Sequence, residues 1–114
     1  MIVNLTPYPI LGPRHRDSQD LCMWTLPPSG VIARPVERIT PADPIDGIPT
    51  AYIECDGVRN LPGPADERWY VVSTSTAQAA KQWGRTTSDL LTPGEQIYDD
   101  DGKITGYKCL QRVQ

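Results

Sequence analysis

The sequence has no phenylalanine and a single histidine among its 114 residues. Three tryptophans and five tyrosines must therefore provide the bulky packing of the core, in a chain whose hydrophobic share of 39% is somewhat low. A Cys–His catalytic pair would depend on His15, which lies in a polar stretch. Because no paired acid and base and no activated nucleophile is evident, we expect a protein without enzymatic activity.

Long apolar runs and concentrated positive charge are also lacking. No stretch approaches the roughly 18 consecutive apolar residues of a membrane span, and residues 1–5 do not have the pattern of a signal peptide. The formal net charge is −3, and the arginines and lysines are scattered, unlike those of proteins that bind duplex DNA or RNA. We therefore expect a cytoplasmic protein with no membrane and no duplex nucleic acid among its partners.

The cysteines are few, and their spacing fits neither disulfides nor a metal. Cys22, Cys55 and Cys109 are odd in number and far apart, unlike a disulfide framework or a zinc site. The acidic turn at residues 99–102 lacks carboxylates where a calcium loop needs its first and last ligands. We expect free thiols, no metal and no cofactor.

Twelve prolines, more than twice the usual share, predict short elements separated by extensive loops. The length fits a single domain over residues 1–114. Residues 69–72 are continuously apolar, which is typical of a central strand covered on both faces. Ser75 with Gln78 forms a possible capping box, and Gly84 a stop, so we predict one short helix at about 76–84.

The predicted fold class is α+β, mostly β, with a small mixed or antiparallel sheet and one short helix after the central strand. Turn residues at 27–30 suggest that 21–26 and 31–34 form a hairpin. We interpret 12–20 as a loop or hairpin tip, 40–49 as a connector and 85–91 as a capped turn. The predicted strands are 2–5, 10–11, 21–26, 31–34, 51–55, 69–72, 96–98 and 104–110, with Asp101–Gly102 turning the last hairpin.

Hydroxyl groups cluster where the central strand meets the helix. Free amides and the positive end of a helix dipole can bind a phosphate at such a place, although Ser75 could simply cap the helix. Arg85 and the hydroxyls after it could grip the same anion, or could form a capped turn. Tyr8, between two prolines, could stack a base or pack against the proline corner. The candidate ligand-binding residues are Tyr8, Ser73, Thr74, Ser75, Thr76, Arg85, Thr87 and Ser88.

Four segments resemble a family of phage proteins. Residues 2–10, 27–34, 69–73 and 89–94 with the hairpin that follows are similar, in this order, to small proteins of tailed bacteriophages and prophages that begin with an Asn-Leu-Thr-Pro-His motif. Tyr8 stands where that family usually has histidine. The resemblance implies an accessory protein in the host cell cytoplasm that interferes with host defence or takes part in particle assembly.

Two functions follow from these expectations. The first is a non-enzymatic phage protein that binds and sequesters a nucleotide-derived host immune signal, as a sponge, through the hydroxyl clusters and Arg85. The alternative is a protein–protein interaction module that inhibits a host protein or serves in phage particle assembly. In both cases we expect a homo-oligomer, because a small sheet leaves its edges exposed.

Overall fold

The computed structural model describes residues 1–16 and 21–113, and the part of the chain that it describes is mostly strand with one short helix. The predicted α+β, mostly β class is therefore confirmed. The elements are β1 (Ile2–Asn4), β2 (Ile10–Leu11), β3 (Thr25–Leu26), β4 (Arg34–Ile45), β5 (Ile48–Arg59), β6 (Trp69–Val71), α1 (Thr74–Gln82), β7 (Leu90–Pro93), β8 (Gln96–Tyr98), β9 (Ile104–Tyr107) and β10 (Leu110–Arg112).

The central sheet has the strand order β1-β6-β7-β10. Strand β6 runs parallel to both of its neighbours, and β10 runs antiparallel to β7. Val71 and Val72 are fully buried, as expected of a strand that is covered on both faces. The prediction that residues 69–72 lie at the centre of the sheet is thus confirmed.

Each face of this sheet carries a separate cluster of buried side chains. The helix covers one face, where the buried residues are Leu5, Ala33, Tyr70, Val72, Ala77, Ala80 and Leu90. On the other face the core is formed by Ile10, Val71 and Leu91, with Trp24, Leu26, Trp69, Tyr107 and Leu110 packed against them. The small alanines let the helix approach the sheet closely, so a chain without phenylalanine can still close its core.

The helix begins two residues before the predicted start at residue 76. Ser73, and not Ser75, is its N-cap, because the Ser73 side chain accepts a hydrogen bond from the backbone N–H of Thr76 at 3.2 Å. At the other end Gly84 has a φ of 78°, and its N–H and that of Arg85 donate to carbonyls of the last turn. This pattern closes the helix as a Schellman motif, as the glycine predicted.

Two pairings differ from the prediction. Strand β3 pairs with β2, so residues 21–26 do not form a hairpin with 31–34. The 27–30 turn is instead tied to β1, where Ser29 N–H donates to the Asn4 carbonyl at 3.0 Å, and residues 31–33 pass beside Leu5. The predicted loop at 12–20 begins as an extension of the β2–β3 hairpin, with Arg14 opposite Cys22, and residues 17–20 lie outside the described residues.

The segment 85–91 was predicted as a capped turn, but strand β7 begins within it, at Leu90. Leu90 is fully buried and opposite Tyr70, so burial between two sheet neighbours outweighs the turn propensity of the flanking residues. The last hairpin is confirmed as β8–β9. At its turn only Gly102 has a positive φ, of 80°, so Asp101 does not share that role.

The largest correction concerns residues 40–49, which are not a connector. They form the outer part of a long hairpin, β4–β5, that turns at Asp46 and Gly47 with φ values of 53° and 76°. Positive φ at both central residues is the backbone of a type I′ turn, which favours Asp-Gly. We call residues 34–59 the β-arm. It contributes to a radius of gyration of 17.4 Å, against about 13 Å for a compact chain of this length.

Candidate functional site

The hydroxyl groups at the start of the helix are used largely inside the fold. Ser73 caps the helix, and its Oγ lies 3.2 Å from that of Ser75. Thr76 is fully buried, and its hydroxyl donates to the Ala33 carbonyl at 3.2 Å. Thr74 and Ser75 are exposed. Ser73 thus caps the helix and Thr76 fastens it to the chain beside β1, whereas the capping alternative had assigned the cap to Ser75.

The guanidinium of Arg85 is also occupied. It donates to both carboxylate oxygens of Asp89, at 2.8 and 3.0 Å, and to the carbonyls of Pro62 and Thr86, each at 2.7 Å. These bonds use four of its five N–H donors, and the remaining Nε is buried without a partner among the described residues. The Arg85 side chain is 16% exposed. Little of it is accessible to a phosphate.

The predicted residues lie at opposite ends of the parallel strands of the sheet. Ser73 follows β6 and Tyr8 follows β1, so both come after the carboxyl ends of neighbouring parallel strands. Arg85 lies beyond the other end of the nine-residue helix, about 13 Å along its axis, with Thr87 and Ser88. Ser88 Oγ lies 3.2 Å from that of Thr86, and Tyr8 is 73% exposed. The structure therefore does not bring the eight candidates together.

Asn4, in the motif that carries the phage resemblance, has a structural role. Its side chain is buried and donates to the carbonyls of Tyr8 and Leu26, while its Oδ1 accepts from the backbone N–H and the hydroxyl of Thr6. These bonds join β1, the proline corner and the end of β3. The side chains of Asn4 and Thr6 thus satisfy buried polar groups at this corner.

The feature that the sequence analysis missed is the β-arm, and its apolar side chains are exposed on both faces. Ile39 lies opposite Ile53 on the face toward α1. Ile45 lies opposite Ile48 on the other face, which Tyr52 shares by the two-residue alternation of a strand. All five side chains are between 63% and 67% exposed. A group of exposed large apolar side chains on one hairpin is typical of a site of protein interaction.

We call the face that is turned away from α1 the outer face. Its middle carries an ion pair between Arg38 and Glu54, and the hydrogen bond and charge of Glu54 raise the pKa of the Arg38 guanidinium above its ordinary value. At the base of the arm Arg34 lies directly opposite Arg59. At the tip are Asp43 and Asp46.

A hollow of about 420 Å³ lies beside the base of the arm. Its lining consists of Gly30, Val31, Ile32, Arg34, Arg59 and Asn60. Val31 is 48% exposed, so the hollow combines an accessible apolar side chain with two guanidinium groups. This combination suits a segment that carries both apolar and acidic side chains.

Two further clefts flank the helix. The first, of about 550 Å³, separates the helix from the arm and is lined by residues that include Glu37, Ile53 and Gln78. The second, of about 540 Å³, lies between the helix and β10 and includes Thr74 and Arg112. The Arg112 guanidinium lies 4.9 Å from the centre of the Trp69 ring, a cation–π contact.

The three thiols are free, as predicted. Over residues 1–16 and 21–113, no three His, Cys, Asp or Glu side chains are grouped so that they could hold a metal ion. No helix in the same residues has the length and apolar character needed to cross a membrane. Comparison with known proteins finds no family model, no curated protein and no solved structure that matches this chain.

Proposed function

We propose that this chain is a non-enzymatic interaction protein that works by burying its β-arm against another protein surface. The phage resemblance implies the setting, which is the cytoplasm of the host cell, and the class of role, which is particle assembly or inhibition of a host protein. In this proposal the body of the domain anchors the arm, and the arm makes the contact.

The observation that carries the proposal is the exposure of five large apolar side chains on the arm, each of them between 63% and 67% exposed. Full burial of such a side chain contributes about 1.5–3 kcal/mol, so completing the burial of each of these contributes about 1–2 kcal/mol. An isolated two-stranded ribbon is marginally stable in water. A covering surface therefore stabilises the arm and gains affinity from the same contacts.

The nucleotide-sponge hypothesis finds less support in the arrangement of its residues. It depends on Arg85 gripping a phosphate near Ser73, but Arg85 is bonded to Asp89 and lies at the far end of the helix. Binding a phosphate there would first break a paired carboxylate away from its partner, which is costly in a largely buried position. The β-arm needs no rearrangement to bind, and we therefore favour the interaction function.

A photo-crosslinking amino acid placed in the intact chain tests this function. One variant carries p-benzoylphenylalanine in place of Tyr52 on the arm, and the control carries it in place of Tyr98 on β8. Their native side chains are similarly exposed, at 67% and 58%. We expect a covalent adduct with a protein, identified by mass spectrometry of the linked peptides, from position 52 and not from position 98. Equal yields at both positions, or no adduct at position 52, would contradict the proposal.

A further inference from the structure

We propose that the surface which covers the β-arm is the β-arm of a second copy of this chain. The two arms pack antiparallel through their outer faces, so the tip of each enters the hollow at the base of the other. This inference rests on the proposed function and specifies the partner of the same site.

The residues that line the hollow at the base of the arm carry two positive charges and no negative charge. Arg34 and Arg59 are direct cross-strand neighbours, and like charges in that position destabilise a strand pair. Among residues 1–16 and 21–113, neither guanidinium has a carboxylate within ion-pair distance. Carboxylates supplied from outside would offset the repulsion. The exposed Val31 beside them adds a place for an apolar side chain.

The tip of the arm has the complementary composition. Asp43 and Asp46 are exposed there, beside the paired and exposed Ile45 and Ile48. Residues 39–53 contain no lysine or arginine. The tip thus presents two acids and two isoleucines, while the hollow presents two arginines and an exposed valine. Matched charge and apolar contact of this kind set the orientation of an interface.

The geometry of the arm allows both contacts to form at once. Counted along β4, the midpoint between the Arg34–Arg59 pair and the Asp46–Gly47 turn is Thr40, and counted along β5 it is Ile53. The pair at this midpoint whose side chains lie on the outer face is Thr40–Tyr52. A two-fold axis through this midpoint places each tip at the other base, about 40 Å away along a twelve-residue strand. It also places the two Tyr52 side chains next to each other. The contact is therefore symmetric and closed.

The prolines favour packing through the faces over pairing along the edges. Strand β4 contains Pro35, Pro41 and Pro44, each of which lacks a backbone N–H. In a paired strand such prolines belong on the free edge, which therefore offers fewer donors for a further strand. Extension along the β4 edge is thereby weakened, and we take the apolar outer face as the surface to cover.

Cysteine crosslinking tests the position of the proposed two-fold axis between the two arms. In a chain whose native Cys22, Cys55 and Cys109 are changed to serine, Tyr52→Cys should form a disulfide-linked dimer under mild oxidation, because residue 52 meets its own copy. Tyr98→Cys in the same background should form no disulfide-linked dimer. A Tyr52→Cys chain that forms no disulfide-linked dimer, or equal yields of linked dimer from both positions, overturns the antiparallel arrangement.

Charge reversal tests the contact between tip and hollow in the full chain, by sedimentation equilibrium. Asp43→Lys with Asp46→Asn at the tip, or Arg34→Glu with Arg59→Glu at the base, should each weaken the dimer about tenfold. All four changes in one chain should recover most of the lost affinity, because the tip then carries one positive charge and the base two negative charges. Failure of this restoration, in a chain whose circular dichroism shows that it folds, overturns the pairing.

The two proposals fail in different ways. A wild-type chain that is monomeric at about 100 µM, while position 52 crosslinks to a different protein, overturns the self-pairing and leaves the interaction function standing. No adduct at position 52 and no dimer would overturn both. A dimer that the Tyr52→Cys thiols link covalently supports both together.

Discussion

The carboxylate of Asp89 accepts two hydrogen bonds from the guanidinium of Arg85, four residues before it, at 2.8 and 3.0 Å. The two side chains are 12% and 16% exposed. The pair holds the segment that leads from the end of the helix into β7, and the Asp89 carbonyl in turn accepts from the N–H of Tyr70 in the central strand. Arg85 thus has a structural role in the βαβ unit that β6, α1 and β7 form.

We therefore expect Arg85→Ala to destabilise the fold. It leaves the largely buried Asp89 carboxylate unpaired, at a cost of about 2–4 kcal/mol in the free energy of unfolding. Chemical denaturation monitored by tryptophan fluorescence measures this change. The matched control is Lys108→Ala, which breaks the exposed Lys108–Glu95 pair away from the arm and should leave the unfolding midpoint unchanged. Similar losses in the two variants would contradict this assignment.

Asn4→Ala should also destabilise the chain, since it leaves buried partners at the proline corner without hydrogen bonds. The expected loss is about 2–4 kcal/mol. Gln78→Ala, which removes an exposed side-chain amide, serves as the control and should cost nothing measurable. An Asn4→Ala chain as stable as Gln78→Ala would show that the corner does not depend on this side chain.

Asn4→Asp should show a loss of stability that depends on pH. A carboxylate there would be buried and would face the carbonyls of Tyr8 and Leu26, so its pKa in the folded chain would be raised. An acid whose folded pKa is raised destabilises the fold as pH rises through its unfolded value, about 3.9. The difference in melting temperature from wild type should be smallest below about pH 4 and grow toward pH 7. A difference that does not change with pH would contradict the burial of this group.

The body should fold without the outer part of the arm. Replacing residues 38–54 by Asn-Gly keeps the pairing of Glu37 with Cys55 and keeps Val58 packed against the helix cluster. We expect a cooperative unfolding transition and a monomer with a radius of gyration near 13 Å in small-angle X-ray scattering. Loss of cooperative unfolding would mean that the arm belongs to the core.

Gly106→Ala should be destabilising because β9 passes very close to the end of β2. A Cβ at Gly106 would lie 2.8 Å from the Leu11 carbonyl oxygen and 3.0 Å from that of Gly12. Backbone must move to admit it, at a cost of about 1–3 kcal/mol. The control is Gly63→Ala, where a Cβ would meet nothing within 4 Å. Thermal melts of the two variants should differ clearly, and equal melting temperatures would contradict this close approach.

Local signals in the sequence predicted the centre of the fold. The apolar run at 69–72 and the glycine at 84 depend on neighbouring residues only, so β6 and the end of α1 could be read directly. The helix was predicted to start two residues too late because two serines can serve as its cap. Ser73 is the cap, and the hydrogen bond from the Thr76 hydroxyl to the distant Ala33 carbonyl, which accompanies this start, is not visible in the sequence.

The β-arm was missed for a physical reason. Pro41, Pro44 and Pro49 are typical of a loop, and they are tolerated in the arm because each strand has one unpaired edge. The Asp46–Gly47 dipeptide was the available signal, since it is a strong hairpin turn sequence. The pairing of β2 with β3 could not be read in the same way, because it depends on which strands cover Val71 and Leu91.

The candidate site was predicted from residue types, and its geometry depended on partners that chemistry alone does not select. The hydroxyls at the helix start were located correctly, but hydrogen bonds within the fold use Ser73 and Thr76. The spacing of Arg85 and Asp89 is visible in the sequence and favours an ion pair over a free guanidinium. Weighing that spacing would have removed Arg85 from the predicted site.

The parallel pairing of β1 with β6 constrains the order in which the chain can fold. Ile2 is opposite Trp69, so the first strand leaves the ribosome 67 residues before its neighbour. The β-arm pairs two strands that follow each other in the chain, and such a hairpin forms in about 1–10 µs. Strands that are far apart in the sequence pair more slowly. A nascent chain therefore exposes its apolar arm before the sheet that anchors it exists, and chains made on neighbouring ribosomes can meet through their arms while still being synthesised.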